Sequence, residues 1–574
     1  MAILSNFDGV GSGQLQVKIL AIVITLPLAY FLYRGYQVRR MLQQWQKQGV
    51  PMMRHHPIWG HLHHVGPLMA GLPSDAHGDY LLLAIQNNWK TLFPGCKRCP
   101  PAVYVDMWPF TPPLLIALHP AVAAQFTQEV SRVKPAEQKR FMYPISHNLD
   151  LTSYEGAEWK LWRKRLSPGF SNAMVTARVP ELLEEVEVFA DILRKMAPAD
   201  GTWSDVFRLE NMSINLALDV IGRYLIGIRL HEQIGPPTPL KTALLDTISR
   251  VRFYTNILNI WSQINPYRLL RFRINTRIMD NFLLPHISAR VNSNPTSKAE
   301  KNQFLQLTVQ SLQDEVPGGR VDRTAFLANA LGHTKFFLFA GYDTTAGAIC
   351  WTIRFLSLNP AALARLRAEL DSVLGPDAAA ATTLRANPHL VNSLTYTAAV
   401  LKESLRLQTN VGTIRDGGPG FSLYGPPDSD FPGQRFPTDR CVLWDGNWAI
   451  HKNPDFWHRV DEFLPERWLV TEDRDPLYPP RNAFRAFELG PRDCLGQFLA
   501  QVEMKLVLAL VAREFDLAED WEAWDVKRRV KKGKKPDTVF GERAYQVFAN
   551  GGEGPPHVKD GFPVKVRLRT ENRV

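Results

Sequence analysis

The chain has 574 residues, 45% of them hydrophobic, which describes a mostly globular body larger than the usual single domain. Its five cysteines (Cys96, Cys99, Cys350, Cys441, Cys494) are few and odd in number, which excludes a disulfide framework and fits a reducing compartment. The net charge of +11 falls to +4 without Lys527–Lys535, and that run carries neither interleaved aromatics nor a nucleic-acid motif, so no nucleic-acid partner is expected.

Residues Ile19 to Tyr33 form an uncharged apolar stretch, extended past Lys18 by Leu15 and Val17 and interrupted by Pro27. A spanning helix needs about 20 such residues, and a lysine at its edge can snorkel to the interface. Residues 1–14 carry no Lys or Arg, whereas Arg34, Arg39, Arg40 and Lys47 follow the stretch. The positive-inside rule then makes 1–14 lumenal, 15–33 a signal-anchor helix and the remaining chain cytosolic. Pro, Gly and His over 34–60 suit a stiff linker, and 61–574 reads as the folded body, with a basic insertion at 520–550. The histidines at 55, 56, 61, 63 and 64 lack acidic or cysteine partners in sequence, which favours no metal site.

Within the body, Ala102–Trp108 and Pro113–Leu118 read as strands, followed by a helical Pro120–Phe126. Cys96-Lys-Arg-Cys99 has no second pair to complete a zinc site. Trp159 and Arg163 stand at i and i+4 on a helix, where an indole N–H and a guanidinium can meet one carboxylate. Amphipathic helices are expected from about 179 to 290, and loops over Asn292–Lys298 and Pro376–Thr383. A long apolar helix is predicted over Phe326–Leu356, containing Ala340-Gly341-Tyr342-Asp343-Thr344-Thr345. The Thr344 hydroxyl can bond back one turn and open the helix locally, and an acid at 343 in an apolar run requires a partner or a proton-handling task. Glu403 and Arg406 form an i, i+3 pair, with Arg467 further on in Phe463-Leu-Pro-Glu-Arg467-Trp468.

The most informative stretch is Phe487-Glu-Leu-Gly490-Pro-Arg492-Asp-Cys494-Leu-Gly496. Gly490 allows a tight turn, and Cys494 is expected at the mouth of a helix whose free N–H groups favour a thiolate. Gly496 lets that helix end approach a flat cofactor, Arg492 can meet an anionic substituent, and Phe487 can cover the sulfur. A buried thiolate suits a soft metal, and haem iron is one such partner.

These residues fit F-x-x-G-x-R-x-C-x-G in full, and here the chain resembles the cytochrome P450 family, over about residues 57 to 574. The resemblance implies a mainly α fold with small β-sheets and a haem b (iron protoporphyrin IX) whose axial ligand is Cys494. It implies haem-propionate partners in Trp159, Arg163, Arg415 and Arg492, and a small-residue gap over the porphyrin at Ala340 and Gly341. It makes Thr344 and Asp343 the oxygen- and proton-handling pair, and the triad Glu403, Arg406 and Arg467 a scaffold for the cysteine loop. Pro57–His61 resembles the family's proline-rich hinge, and Pro555–Arg569 a C-terminal β-hairpin. Between Leu407 and Arg415 this chain lacks the proline the family commonly has.

The activity so implied is insertion of one oxygen atom of O2 into an organic substrate, with the other released as water. No flavin or NADPH module is visible, so electrons are expected from a separate NADPH-cytochrome P450 reductase, with cytochrome b5 a further partner, docked near Lys160, Lys164 and Arg165. Phe336, Phe337, Phe339, Val411 and Ile414 are expected to line an apolar pocket for a lipophilic substrate. The pattern resembles fungal members that tailor secondary metabolites, anchored in the endoplasmic reticulum membrane. A desaturase, dehydratase or isomerase on the same fold, or a non-enzymatic membrane-anchored haem sensor, are the alternatives.

Overall fold

The computed structural model of the chain describes residues 12–253, 260–292, 323–375, 379–531, 533, 535–548 and 554–569. Helices dominate, with small sheets beside them, as the resemblance implied. The strands among the described residues are β1 (Ala102–Val105), β2 (Leu114–Ala117), β3 (Phe207–Arg208), β4 (Thr413–Asp416), β5 (Ser422–Tyr424), β6 (Arg435–Pro437), β7 (Val442–Asp445), β8 (Phe515–Glu519), β9 (Gln546–Val547), β10 (His557–Val558) and β11 (Pro563–Leu568).

The N-terminal helix runs from Ser12 to Lys47 with Pro27 inside it, well past the expected end at 33. From Gln16 onward it is long and apolar enough to cross a membrane. Its last turns belong to the body: Val38, Leu42 and Trp45 recur at i, i+4 and i+7 and are buried against the sheet region. Beside them Arg39 pairs with the buried Asp106 carboxylate and donates to the carbonyls of Ile58 (3.1 Å) and Trp108 (3.2 Å). His55 reaches the same carboxylate at 2.9 Å, and Asp106 N donates to His61 Nδ1 at 3.0 Å. The expected linker over 34–60 is therefore helical to Lys47, and the rest is clamped to the body through Asp106. Two of the neck histidines serve that clamp.

The largest sheet has the order β1-β2-β7-β4, with β2 and β7 parallel and the outer pairs antiparallel. All residues of β1 and β2 are buried, which explains their unbroken apolar runs. The helix Arg323–Leu358, slightly longer than the expected 326–356, is the central pillar of the main core. It packs against Leu209–Ile226, where Gly341 has a specific job. A Cβ there would sit 3.0 Å from Ile221 Cγ1, so the glycine admits the neighbouring helix.

Two local expectations fail for identifiable reasons. Pro555–Arg569 forms no hairpin with itself: β10 pairs with β9, whereas β11 lies between β3 and β8. Left-handed Asp560 and Phe562 turn the chain away between the two strands. Ala380–Ala386, inside or beside the expected loop, is helical because its alanines and leucine are good helix formers. Residues 293–298 and 376–378 lie outside the described residues. In the basic run, Lys527 Nζ donates to the Val206 carbonyl (2.8 Å) and Arg528 pairs with Asp560 (2.7 Å), so these two exposed cations are also tied to the body.

Candidate active site

The loop before Cys494 is fixed by its own backbone and by one buried arginine. Cys494 N donates to the Phe487 carbonyl at 2.9 Å, and Asp493 N to the Gly490 carbonyl at 3.0 Å. Gly490 has φ +105°, and a Cβ on it would lie 2.3 Å from the Thr127 carbonyl oxygen, so both conformation and contact demand glycine. Arg485, which sequence reading missed, is buried and joins Asp445 (2.7 Å) and the Thr127 hydroxyl (2.8 Å) beneath the loop. Phe487 is half-buried against the main core.

Cys494 is enclosed by protein, yet its side chain is exposed to open space. Burial pushes its thiol up to about 11, only partly opposed by the Gly496 N–H. The helix begins at Gln497, with Gly496 as its cap, so Cys494 lies outside the first turn and the expected thiolate stabilisation by the helix end does not prevail. A metal bound here would replace that proton. At Gly496 an added Cβ would meet nothing nearer than Cys494 Sγ at 4.0 Å, which leaves the approach to the sulfur clear.

The basic residues expected around haem carboxylates are brought together, with partners that sequence reading did not foresee. Arg163 donates to the Asp493 carbonyl (2.8 Å) and pairs with the Asp493 carboxylate, so it holds the cysteine loop. Trp159 lies under the Arg492 guanidinium, 4.5 Å from ring centroid to Cζ, instead of sharing an acceptor with Arg163. Arg492 pairs with Glu155, and Arg415 with Glu488. Lys134 stands beside them, 3.4 Å from the Thr413 hydroxyl, and burial followed by Arg415 pulls it down to about 7. Arg415 Nε and Arg492 Nε are left over, buried without a hydrogen-bond partner among the described residues. An accessible sulfur, a clear glycine face and two orphaned guanidinium N–H groups fit an iron porphyrin bearing carboxylates.

On the central helix, Phe336, Ala340, Gly341 and Thr344 are only half-buried while their neighbours on other faces are buried. The Thr344 hydroxyl donates to the Ala340 carbonyl at 2.8 Å, and the Thr344 carbonyl accepts from Asn410 Nδ2 at 2.9 Å. Asn410 lies in the stretch without proline, and its side chain ties that stretch to the helix. Phe337 and Phe339 are core residues, packed on Phe170 and Phe141, so of the three phenylalanines only Phe336 shares the Ala340–Thr344 face. Val411 is exposed, and Ile414 packs against the sheet-region core. Asp343 is buried, with its carboxylate 3.0 Å from His557 Nε2 on β10.

Behind the loop, Glu403 gathers the buried Arg406 (2.8 Å) and Arg467 (3.0 Å) and the half-buried Trp468 indole (2.9 Å). Of the expected docking cations, Lys160 and Lys164 are exposed, whereas Arg165 is buried over Trp162 and cannot face a partner.

A family model described as "Cytochrome P450" matches residues 96–538. The chain is 36% identical over 557 residues to cytochrome P450 monooxygenase polC of Polytolypa hystricis, covering 96% of this chain and 95% of that one. It is 29% identical to cytochrome P450 monooxygenase acrF of Aspergillus aculeatus, covering 80% and 93%. Among solved structures, the cytochrome P450DA heme domain superposes with a TM-score of 0.64 at 20% identity, over 90% of this chain and 96% of that one.

Proposed function

The chain belongs to the cytochrome P450 family and is a monooxygenase of it; from that premise we propose that it oxidises a lipophilic small molecule as a tailoring step in secondary-metabolite biosynthesis. Haem b held by Cys494 would supply the activation of O2, with insertion of one oxygen atom into the substrate. The observation that carries this reading is the enclosed but accessible Cys494 sulfur beside the open face of Gly496.

In this reading Arg415 and Arg492 direct their unpartnered Nε–H groups to the haem carboxylates, with Lys134 as a nearby cation. Trp159 stacks beneath Arg492, and Arg163 keeps the cysteine loop in register through Asp493. Phe487 would cover the sulfur, and the small, half-buried Ala340 would leave room for O2 and substrate. Thr344 would meet oxygen with the hydroxyl that is bonded to the Ala340 carbonyl, and Asp343 would handle protons one residue away. The half-buried Phe336 and the exposed Val411 add apolar surface for a lipophilic substrate.

The N-terminal helix anchors the protein in the endoplasmic reticulum membrane with the body in the cytosol, supported by its exposed apolar length and the basic residues that follow. Electrons then come from NADPH through NADPH-cytochrome P450 reductase, with cytochrome b5 as an auxiliary donor, both acidic-surfaced partners for Lys160 and Lys164. Kinship with fungal monooxygenases supports the metabolic setting. The test is the carbon-monoxide difference spectrum of the reduced protein, followed by feeding candidate lipophilic substrates to microsomes containing the reductase. A spectrum without the thiolate-ligated band, or no oxygenated product with any substrate class, defeats the proposal.

A further inference from the structure

His557 lies between two buried carboxylates. Its Nε2 is 3.0 Å from Asp343 Oδ1 on the central helix, and its Nδ1 is 3.3 Å from Glu210 Oε1 on the Leu209–Ile226 helix. Both are ion-pair contacts, and a carboxylate at each edge of the ring favours the doubly protonated imidazolium. Burial opposes that charge, yet the Asp343 and Glu210 carboxylates together outweigh it and hold His557 well above its ordinary value.

The ring is also delivered by backbone. Val558 N donates to the same Glu210 Oε1 at 2.9 Å, and β10 is paired with β9, whose Gln546 side chain donates to the Thr409 carbonyl at 2.8 Å. One turn along the central helix from Asp343, a Cβ on Gly347 would sit 3.8 Å from the Pro556 carbonyl oxygen. The segment before His557 thus crosses the helix beside the acid. Neither buried Asp343 oxygen has a hydrogen-bond donor among the described residues: Oδ1 meets the imidazole as an ion pair, and Oδ2, the oxygen not in that pair, has no such contact.

We propose that His557, braced by Glu210, is a positioning residue for Asp343: it fixes one carboxylate oxygen and leaves the other free to exchange protons on the Thr344 side. This rests on the reading of Asp343 and Thr344 as the proton- and oxygen-handling pair. The charged groups facing His557 are Asp343 from the central helix and Glu210 from Leu209–Ile226, with the buried Cys350 thiol also under the influence of Glu210. The residues of β9 paired with β10, Gln546 and Val547, are uncharged.

The experiment uses the full-length haem-loaded protein in microsomes with the reductase, comparing wild type with His557→Gln, Glu210→Gln and Asp343→Asn. A histidine whose folded pKa is raised stabilises the fold fully below its ordinary value of about 6.5 and loses that contribution as pH rises through the raised value. The gap in melting temperature between wild type and His557→Gln is therefore expected to be widest near about pH 6 and to close at higher pH. Glu210→Gln keeps an acceptor for Val558 N but drops the charge, so its loss of stability is smaller and is complete at lower pH than in wild type. The second readout is NADPH oxidation without added substrate. We expect His557→Gln to slow it by at least about threefold and to make it pH-dependent, with Glu210→Gln between it and wild type.

A wild-type rate and pH profile in His557→Gln, beside a slowed Asp343→Asn, overturns the proposal, because the ion pair is then structural only. If His557→Gln fails to load haem, Glu210→Gln decides by the same criteria. A wild-type rate in Asp343→Asn overturns the underlying reading of the acid, and this proposal with it. An unchanged carbon-monoxide difference spectrum in each protein separates these outcomes from a failure of haem-thiolate ligation itself.

Discussion

Arg467 Nε donates to Glu403 Oε1 at 3.0 Å, and neither side chain has any solvent exposure. The same carboxylate accepts from Arg406 Nε (3.0 Å) and Nη2 (2.8 Å), while Arg406 Nη1 reaches the carbonyls of His451 (2.9 Å) and Val460 (2.8 Å). One anion thus compensates two buried guanidiniums and pins the segment that precedes the cysteine loop.

Glu403→Gln removes that charge while keeping the shape, and leaves both arginines buried without a counter-ion. Breaking such a pair costs about 3–5 kcal/mol. We expect a lower melting temperature and a reduced haem-to-protein ratio, measured by calorimetry and pyridine haemochrome. Wild-type values for both would show that the triad is dispensable.

Two glycines in the same loop should answer differently to alanine. In Gly490→Ala the new Cβ meets the Thr127 carbonyl oxygen in a left-handed conformation, so the fold itself is destabilised, by about 1–3 kcal/mol or more. Gly496→Ala meets only the cysteine sulfur at 4.0 Å, so the haem-free protein should melt as wild type does, while haem retention falls. Equal melting temperatures for the two variants would contradict this.

Cys494→Ser replaces the soft ligand by a hydroxyl in the same place. The expected result is loss of the thiolate-type absorption and of NADPH-dependent turnover, with helical content retained because the loop's backbone bonds do not involve the sulfur. Circular dichroism and the carbon-monoxide difference spectrum read the two effects separately.

Thr344→Ala deletes the hydroxyl bonded to the Ala340 carbonyl but leaves the Asn410 bond to the Thr344 carbonyl in place. The helix should persist, and hydrogen peroxide released per NADPH should rise several-fold, by analogy with the roughly 10²–10⁴-fold contributions typical of positioned proton-handling groups. Thr344→Ser should restore most of the coupling. An unchanged peroxide yield in the alanine variant would remove Thr344 from the reaction.

Much of the candidate site is readable along the chain because its parts are neighbours in sequence. Gly490, Arg492, Cys494 and Gly496 lie within one loop, Ala340 and Thr344 are one helical turn apart, and Glu403 and Arg406 share a helix face. Spacing alone states which of these side chains lie together. What spacing does not state is which of several available partners a charged group takes. Arg163 went to Asp493, Arg492 to Glu155 and Arg415 to Glu488, because those carboxylates were folded against them and burial makes an unpaired charge costly.

The amino-acid order by itself therefore determined the family, the cysteine loop that carries its motif, the long apolar pillar carrying Asp343 and Thr344, and the presence of an apolar N-terminal helix. Only the tertiary structure decided that this helix continues into the body to be clamped at Asp106, that Gly341 makes room for Ile221, and that a histidine from the C-terminal strand sits between Asp343 and Glu210. Short-range pattern fixes what a segment can offer, whereas packing of segments far apart in the chain selects which offers meet in an interior that tolerates no unmatched charge.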